Sequence, residues 1–137
     1  MKRALFVCTG NRARSQMAEG LLRHLAGDRF EVHSAGTVPK GLATETVSVM
    51  GEIGIDISGQ WSKHVDEFAG QEFDYVITVC NSARESCPVF PGEGKRIHWD
   101  VANPIEAQVR GDSLESALRI ARDDLKGRIE EFLAQEG

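Results

Sequence analysis

The stretch that decides the fold lies between residues 8 and 15 and reads Cys8-Thr9-Gly10-Asn11-Arg12-Ala13-Arg14-Ser15. A short apolar run, residues 3–7, precedes this stretch. Residues 15–26 follow it with helical spacing, which brings Met17, Leu21 and Leu25 to one face. The stretch is therefore predicted to be a loop that joins a β-strand to an α-helix. In open α/β proteins such loops stand at the carboxyl edge of a parallel sheet, where ligands bind.

The residues of this loop suit a bound anion. Successive backbone N–H groups can converge on one centre, and the N-terminus of the following helix adds partial positive charge. Gly10 and Asn11 tolerate the positive φ that such a curl requires. Arg14 can grip a tetrahedral oxyanion with two N–H groups. The predicted substrate-binding residues are Thr9, Gly10, Asn11, Arg12, Ala13, Arg14 and Ser15.

Cys8 is the predicted nucleophile of this site. The donors that bind an anion also favour the thiolate, which is the reactive form of cysteine. Ser15 either donates to that thiolate or only caps the helix. The alternative is a small buried cysteine in an ordinary turn. The position between a strand and a helix, with Gly and Asn inside the loop, favours the anion site. For Arg12 we favour a solvent-facing side chain over a charge that serves the site.

Strand-like and helix-like segments alternate along the rest of the chain. Strands are predicted at residues 30–33, 73–79 and 95–99, and a helix at residues 43–53. The last helix is predicted to begin at Asp112, with Glu115 as a capping-box partner. Its inner stripe is Leu114, Leu118, Ala121, Leu125, Ile129 and Phe132. Right-handed crossovers then give an α/β fold, a four-stranded parallel sheet flanked by helices, in a single domain over residues 1–137.

Composition narrows the class of protein. A chain of 137 residues with 41% hydrophobic and 27% charged residues can fold as one globular domain. The net charge of −5, without a basic stripe, argues against a nucleic-acid partner. No apolar run is long enough to span a membrane, and residues 1–7 are too short for a signal peptide. We therefore expect a cytoplasmic protein. The two tryptophans, Trp61 and Trp99, are expected to be packing residues.

Two further cysteines, Cys80 and Cys87, follow the third predicted strand. With Cys8 they make an odd number, so complete disulfide pairing is excluded. A short helix between Cys80 and Cys87 would hold them roughly 10 Å apart. Disulfide-linked Cα atoms lie within about 7 Å, so a bond between them requires that helix to unwind. Spacing alone leaves a redox pair and two packing cysteines open, whereas zinc lacks a convincing fourth ligand.

Residues 8–20 resemble the phosphate-loop signature shared by low-molecular-weight protein tyrosine phosphatases and thioredoxin-coupled arsenate reductases. The run Ser15-Gln16-Met17-Ala18-Glu19 is more similar to the reductases, and the similarity continues through residues 32–36 and along almost the whole chain. The resemblance implies the low-molecular-weight phosphatase fold and no organic cofactor. It also implies arsenate or another tetrahedral oxyanion as substrate and thioredoxin as electron donor. The catalytic residues that it implies are Cys8, Arg14, Cys80 and Cys87.

The resemblance further implies a relay of three thiols. Cys8 attacks arsenate and forms a covalent adduct, and Cys80 then attacks the Cys8 sulfur and expels arsenite. Cys87 attacks Cys80, which leaves a Cys80–Cys87 disulfide for thioredoxin to reduce. Two alternatives stay open at this point: a protein tyrosine phosphatase that uses Cys8 and Arg14 alone, and a non-catalytic oxyanion or redox sensor.

One position departs from the family pattern. The relatives carry an Asp-Pro pair whose carboxyl group acts as a general acid, and Asn103-Pro104 stands in its place. Asn cannot transfer a proton at neutral pH. Asp100 could replace that acid, arsenate could supply its own leaving water, or the protein could be slow.

The resemblance also suggests a structural metal ion. The residues that match the potassium-binding positions of some reductases are Asn11, Glu19, Ser34 and Asp66.

Overall fold

The computed structural model describes residues 1–104 and 113–136, and a parallel sheet forms its centre. The strands are β1 (Lys2–Cys8), β2 (Phe30–Gly36), β3 (Tyr75–Thr78) and β4 (Lys95–His98). The helices are α1 (Arg14–Ala26), α2 (Thr44–Gly51), α3 (Asn81–Ser86) and α4 (Leu114–Glu136), with a 3-10 turn at Val65–Phe68. The strand order is β2-β1-β3-β4 and every pair is parallel. The predicted fold class is confirmed.

The register of the strands brings the cysteines to one edge of the sheet. Cys8 pairs with Gly36 at the end of β2, and Val7 pairs with Thr78 at the end of β3. Cys80 comes two residues after Thr78 and directly before α3. Because the strands are parallel, Cys8, Gly36 and Cys80 all lie at the carboxyl edge.

The second strand is longer than the sequence predicted. The expected strand ended at His33, because Ser-Ala-Gly is typical of a turn. In the structure Ser34, Ala35 and Gly36 are buried and continue the pairing with β1. Hydrogen bonding to a central strand therefore outweighs their low strand propensity. The additional residues carry β2 underneath the loop that follows β1.

Helix α4 covers the sheet with the predicted apolar stripe. Its members are buried or half-buried, and Phe132 contacts the rings of Phe30, Tyr75 and Trp99. The predicted start at Asp112 lies outside the described residues. Within them, the side chain of Ser113 accepts a hydrogen bond of 3.1 Å from the Ser116 N–H.

Two predicted core positions are wrong. Leu25 is 36% exposed, whereas Leu22 and Ala26 are the buried residues at the end of α1. Trp61 is 64% exposed and covers the side chain of Lys63, whose ammonium lies 4.7 Å from the ring centroid. Trp99, by contrast, packs against Phe6 and Phe132. Across residues 1–104 and 113–136, no helix combines the length and apolar character that crossing a bilayer requires.

Candidate active site

Cys8 is the last residue of β1, directly before the loop that leads to α1. Its side chain is buried, and the backbone N–H of Asn11 donates to its Sγ atom at 3.2 Å. The hydroxyl of Ser15, the second residue of α1, lies 2.8 Å from the same sulfur. Both groups can donate a hydrogen bond to a thiolate at this position. Ser15 therefore directly contacts the predicted nucleophile.

Asn11 holds the loop in its curled shape. It adopts a φ of 44°, as predicted, whereas Gly10 does not enter the left-handed region. The Asn11 side-chain amide donates to Ser15 Oγ at 2.8 Å and to Ser34 Oγ at 2.9 Å. Its carbonyl oxygen accepts from the Lys63 N–H at 2.9 Å. The buried amide thus ties the loop to α1, to β2 and to the segment before the 3-10 turn.

Gly36 supports the loop from below. A Cβ atom at this position would lie 2.6 Å from the Thr9 carbonyl oxygen and 2.9 Å from the Asn11 nitrogen. Both distances are shorter than any real contact, so only glycine allows β2 to pass this close to the loop. Gly36 is a site residue that was not predicted from the sequence.

Arg14 and Asn103 both line a cavity of about 320 Å³ that also includes Cys8 in its lining. The Arg14 guanidinium donates to the Val101 carbonyl at 3.0 Å, which fixes it to the segment that follows β4. The other residues that line the cavity are Thr9, Gly10, Arg12, Ala13, Lys40, Ala43, Thr46, Pro104, Leu114 and Leu118. Asp100 is exposed and is not among them. Of the two side chains considered for the acid position, Asn103 is the one that reaches the site.

Two basic residues flank the cavity in different ways. Arg12 is exposed and lines the mouth, while its carbonyl oxygen accepts from the Ala43 N–H at 3.3 Å. Lys40, which was not predicted from the sequence, is also exposed, and its N–H donates to the Gly10 carbonyl at 2.8 Å. Its position in the loop after β2, at the carboxyl edge, was the only available signal.

Cys80 is connected to the anion loop through Thr9. The Thr9 hydroxyl lies 3.3 Å from Cys80 Sγ, and both residues lie at the same sheet edge. Cys80 is 6% exposed and immediately precedes α3. The structure therefore brings the second cysteine to the wall of the site that contains the first.

Cys87 follows the last residue of α3. All three cysteines are free thiols, and Cys87 is 7% exposed. Burial raises the pKa of the Cys87 thiol, and the nearby Arg96 guanidinium opposes this only in part. Arg96 donates to the carbonyl oxygens of Cys87 at 2.9 Å and Pro88 at 3.1 Å. The segment after α3 is thus held by two hydrogen bonds from the edge strand β4.

Only three of the four potassium-binding positions meet. Ser34 Oγ donates to Glu19 Oε1 at 2.6 Å and accepts from Asn11, so these three side chains form one buried chain. The Asp66 carboxylate is 78% exposed and lies 3.5 Å from His64 Nδ1 instead. Lys63 reaches the chain in its place, with its Nζ atom 4.0 Å from Glu19 Oε1.

These groups do not fit a free potassium ion, because an ammonium already lies against the carboxylate. Burial lowers the pKa of Lys63, and the negative charge of Glu19 opposes that shift. Within the part of the chain that the structure describes, no three His, Cys, Asp or Glu residues come together as metal ligands. The potassium expectation is therefore not supported by the geometry around Glu19.

The fold and the loop define a class of protein in which a cysteine nucleophile lies inside a strand–loop–helix anion site. The chain belongs to the low molecular weight phosphotyrosine protein phosphatase family, whose sequence model matches residues 3–135. An arsenate reductase from Halalkalibacterium halodurans is 40% identical over 127 residues, which cover 93% of this chain and 91% of that protein.

Solved structures agree with this assignment. An arsenate reductase in the phosphate-binding state has a TM-score of 0.80 and 32% identity, and the match covers 100% of both chains. A thioredoxin-dependent arsenate reductase from Corynebacterium glutamicum has a TM-score of 0.74 and 29% identity. That match covers 98% of this chain and 61% of the other. The family resemblance inferred from residues 8–20 is confirmed.

Proposed function

We propose that this chain reduces arsenate to arsenite through Cys8, Cys80 and Cys87, and that thioredoxin restores the reduced form. The observation that carries the proposal is the contact between Thr9 and Cys80, which brings a second buried thiol to the wall of the anion site. A phosphatase needs one thiol, the nucleophile of its loop, and no second cysteine. A reductase, by contrast, needs a second thiol near the site, because that thiol supplies electrons to the bound oxyanion.

The first step is an attack by Cys8 on arsenic. The Cys8 thiolate forms a sulfur–arsenic bond, and one arsenate oxygen leaves as water after protonation. Arg14 and the N–H groups of the loop hold the remaining oxygens and the charge on them. The Ser15 hydroxyl and the Asn11 N–H lie within hydrogen-bond distance of the attacking sulfur. They can align the sulfur for the attack on arsenic.

The second step moves two electrons to arsenic. The Cys80 thiolate attacks Cys8 Sγ, the sulfur–arsenic bond breaks, and its electron pair stays on arsenic, which leaves as arsenite. The product on the protein is a Cys8–Cys80 disulfide. The Thr9 hydroxyl, 3.3 Å from Cys80 Sγ, can donate to the thiolate and direct it toward the loop.

The third step depends on α3. Cys87 must attack Cys80, which frees the Cys8 thiolate and forms a Cys80–Cys87 disulfide. The six-residue helix Asn81–Ser86 separates the two cysteines, so their Cα atoms are held roughly 10 Å apart while it is intact. Disulfide geometry requires about 7 Å or less, so α3 must unwind and the bonds from Arg96 must break. An unwound, accessible disulfide is a substrate that thioredoxin, in the reducing cytoplasm, can reduce.

Asn103 fits this chemistry better than it fits ester hydrolysis. An organic phosphate ester must expel an alkoxide or a phenolate, which needs a proton from a general acid. Arsenate loses an oxygen as water, and the proton that this step requires can come from the arsenate itself. Asn103 can donate an N–H to a bound oxyanion but cannot supply a proton.

A second candidate function is phosphate ester hydrolysis. The family match and the apolar side of the cavity, where Leu114 and Leu118 stand, favour it because an organic group could rest there. This reaction would use Cys8 and Arg14 without Cys80 or Cys87. A sensor that binds oxyanion without turnover is the alternative if both activities are absent.

A coupled assay tests the proposal against the alternative. We expect arsenate-dependent NADPH oxidation in the presence of thioredoxin and its reductase, and its loss in Cys8→Ser, Cys80→Ser and Cys87→Ser. A Ser116→Ala variant is the control, because this exposed residue of α4 lies outside both the anion loop and α3. Hydrolysis of para-nitrophenyl phosphate without NADPH consumption would refute the reductase and establish the phosphatase.

A further inference from the structure

A chain of buried hydrogen bonds runs from the nucleophile to a carboxylate. It passes from Cys8 Sγ to Ser15 Oγ at 2.8 Å, to Asn11 Nδ2 at 2.8 Å and then to Ser34 Oγ at 2.9 Å. It ends at Glu19 Oε1, 2.6 Å from Ser34 Oγ. Glu19 is 5% exposed. A buried negative charge therefore terminates the network that shapes the anion loop.

Glu19 requires a positive partner, because an isolated carboxylate is costly to bury. Arg23 donates to its Oε2 atom at 2.6 Å from the next turn of α1, but the Arg23 side chain is 47% exposed. Solvent screens such a pair, so it compensates only part of the charge. The Oε1 atom, which is the oxygen that contacts Ser34, faces Lys63 instead.

Lys63 is built into the same network at two points. Its backbone N–H donates to Asn11 Oδ1 at 2.9 Å. Its Nζ atom donates to the Trp61 carbonyl at 2.7 Å and lies 4.0 Å from Glu19 Oε1, with the side chain only 7% exposed. A carbonyl oxygen and a carboxylate oxygen are the ligand types that hard metal cations take in proteins. Here they surround an ammonium, which the exposed Trp61 ring covers.

We infer that the Lys63 ammonium replaces a bound potassium ion beneath the anion loop and fixes the position of Asn11 and Ser15 around Cys8. Lys63 is thus a positioning residue, and the chain needs no alkali metal ion for a formed site. The link from Lys63 to catalysis rests on the proposed reductase function. The cation replacement itself rests only on the contacts of Glu19 and Lys63.

The surroundings offer a route by which a metal ion could enter if the ammonium were removed. A surface cavity of about 530 Å³ opens beside Lys63 and includes Glu19, Asp56 and Glu67 in its lining. Carboxylates of one sign in a cleft raise the local concentration of cations. A shorter neutral side chain at position 63 would therefore leave a negatively charged, oxygen-lined space open to solvent.

Thermal unfolding in matched salts tests the inference. The wild-type midpoint is expected to be the same in potassium chloride and in tetramethylammonium chloride of equal concentration. Lys63→Met is expected to unfold earlier in tetramethylammonium chloride, and potassium is expected to raise its midpoint by about 4 °C at roughly ten times its Kd. A larger organic cation cannot enter the vacated space, so it gives no rise.

Two control variants isolate the charge. Arg23→Met removes the exposed partner of the same carboxylate and is expected to lower the midpoint equally in both salts. The double variant Glu19→Gln/Lys63→Met lacks the buried carboxylate that the cation would neutralise, so it is expected to show no preference for potassium. Any of three results would overturn the inference. The first is a potassium-specific rise in the unfolding midpoint of the wild type, and the second is the absence of such a rise in Lys63→Met. The third is a Lys63→Met protein that is unfolded in both salts.

Binding of inorganic phosphate to the loop tests the positioning role. In tetramethylammonium chloride, Lys63→Met is expected to bind phosphate about tenfold more weakly than wild type by calorimetry, and potassium is expected to restore the affinity. Unchanged affinity would show that the cation does not act on the Cys8 loop. Neither measurement uses arsenate, so a chain without reductase activity that behaves in this way would contradict only the proposed function.

Discussion

The donors around the Cys8 sulfur depend on residues that never touch it. Asn11 N–H reaches Sγ at 3.2 Å only because Asn11 adopts a left-handed φ of 44°. Gly36 passes beneath this turn without a side chain, and the Asn11 amide is fixed from Ser34 and Lys63. At the scale of single residues, the shape of the loop is therefore set by its neighbours as much as by its own sequence.

Gly36→Ala is expected to damage the anion site more than the fold. The new Cβ would approach the Thr9 carbonyl oxygen at 2.6 Å, so the loop must shift away from β2. We expect phosphate affinity, measured by calorimetry, to fall at least about tenfold, since a misplaced donor of this kind costs about 1.5 kcal/mol or more. Gly51→Ala is the matched control, because nothing lies within 4 Å of its Cβ position. Equal phosphate affinity in both variants would contradict this account.

Asn103→Asp is expected to create a general acid beside Cys8. Asn103 lines the cavity that contains the nucleophile, so an aspartic acid there could protonate a leaving group. We expect para-nitrophenyl phosphate hydrolysis to rise about 10²-fold or more, the usual contribution of a positioned acid. Arsenate reduction is expected to change much less. A proportional rise in both reactions would show that arsenate also requires an external proton.

At the scale of elements, α3 separates Cys80 from Cys87, the two cysteines of the proposed redox pair. It is only six residues long and is flanked by its capping residues Cys80 and Cys87, so isolated helix propensity contributes little to it. The buried Cys87 thiol and the two bonds from Arg96 hold its end in place. An element of this kind is stable in the reduced protein and opens when those few contacts are lost.

The pH dependence of stability reports on the end of α3. Burial raises the pKa of Cys87, so the native thiol keeps a proton that the unfolded thiol loses above about pH 8.5. This contribution to stability is complete below that value and is lost as the pH rises through the native pKa. We expect the stability difference between wild type and Cys87→Ser, measured under reducing conditions by thermal unfolding, to shrink from neutral to alkaline pH. A difference independent of pH would contradict a buried neutral thiol.

The contact between α2 and α4 depends on one buried arginine. Arg122 is 8% exposed and donates to the Val49 carbonyl and to Glu52, each at 2.8 Å. We expect Arg122→Met to lower the free energy of unfolding by about 1.5–3 kcal/mol, the cost of losing charge-assisted bonds to a buried acceptor. Arg119→Met removes an exposed partner of the same Glu52, so a smaller loss is expected from denaturant unfolding.

Acid should weaken this contact in a defined range. Hydrogen bonds from Arg119 and Arg122 lower the pKa of Glu52 to about 2. Its contribution is therefore present above the ordinary carboxyl range and is lost as the pH falls toward 2. We expect the Arg122→Met penalty to diminish over that interval. A penalty unchanged at low pH would mean that the Val49 carbonyl, not Glu52, is the important acceptor.

At the scale of the whole molecule, local patterns predicted the order of strands and helices and the loop of residues 8–15. They failed where tertiary contacts override local preference. Residues 34–36 look like a turn but pair with β1, and Trp61 looks like core but covers Lys63 from outside. Lys40 and Lys63 were missed because their significance comes from neighbours distant in sequence, Gly10 and Glu19.

Trapping the relay after its second step tests the central claim most directly. In Cys87→Ser the Cys8–Cys80 disulfide cannot be passed on, so reduced protein mixed with arsenate is expected to release arsenite once, in a stoichiometric burst. Peptide mass spectrometry of the product is then expected to give the Cys8–Cys80 cross-linked pair and no free Cys8. Arsenite release without that cross-link, or no release from a folded Cys87→Ser protein, would contradict the three-thiol mechanism.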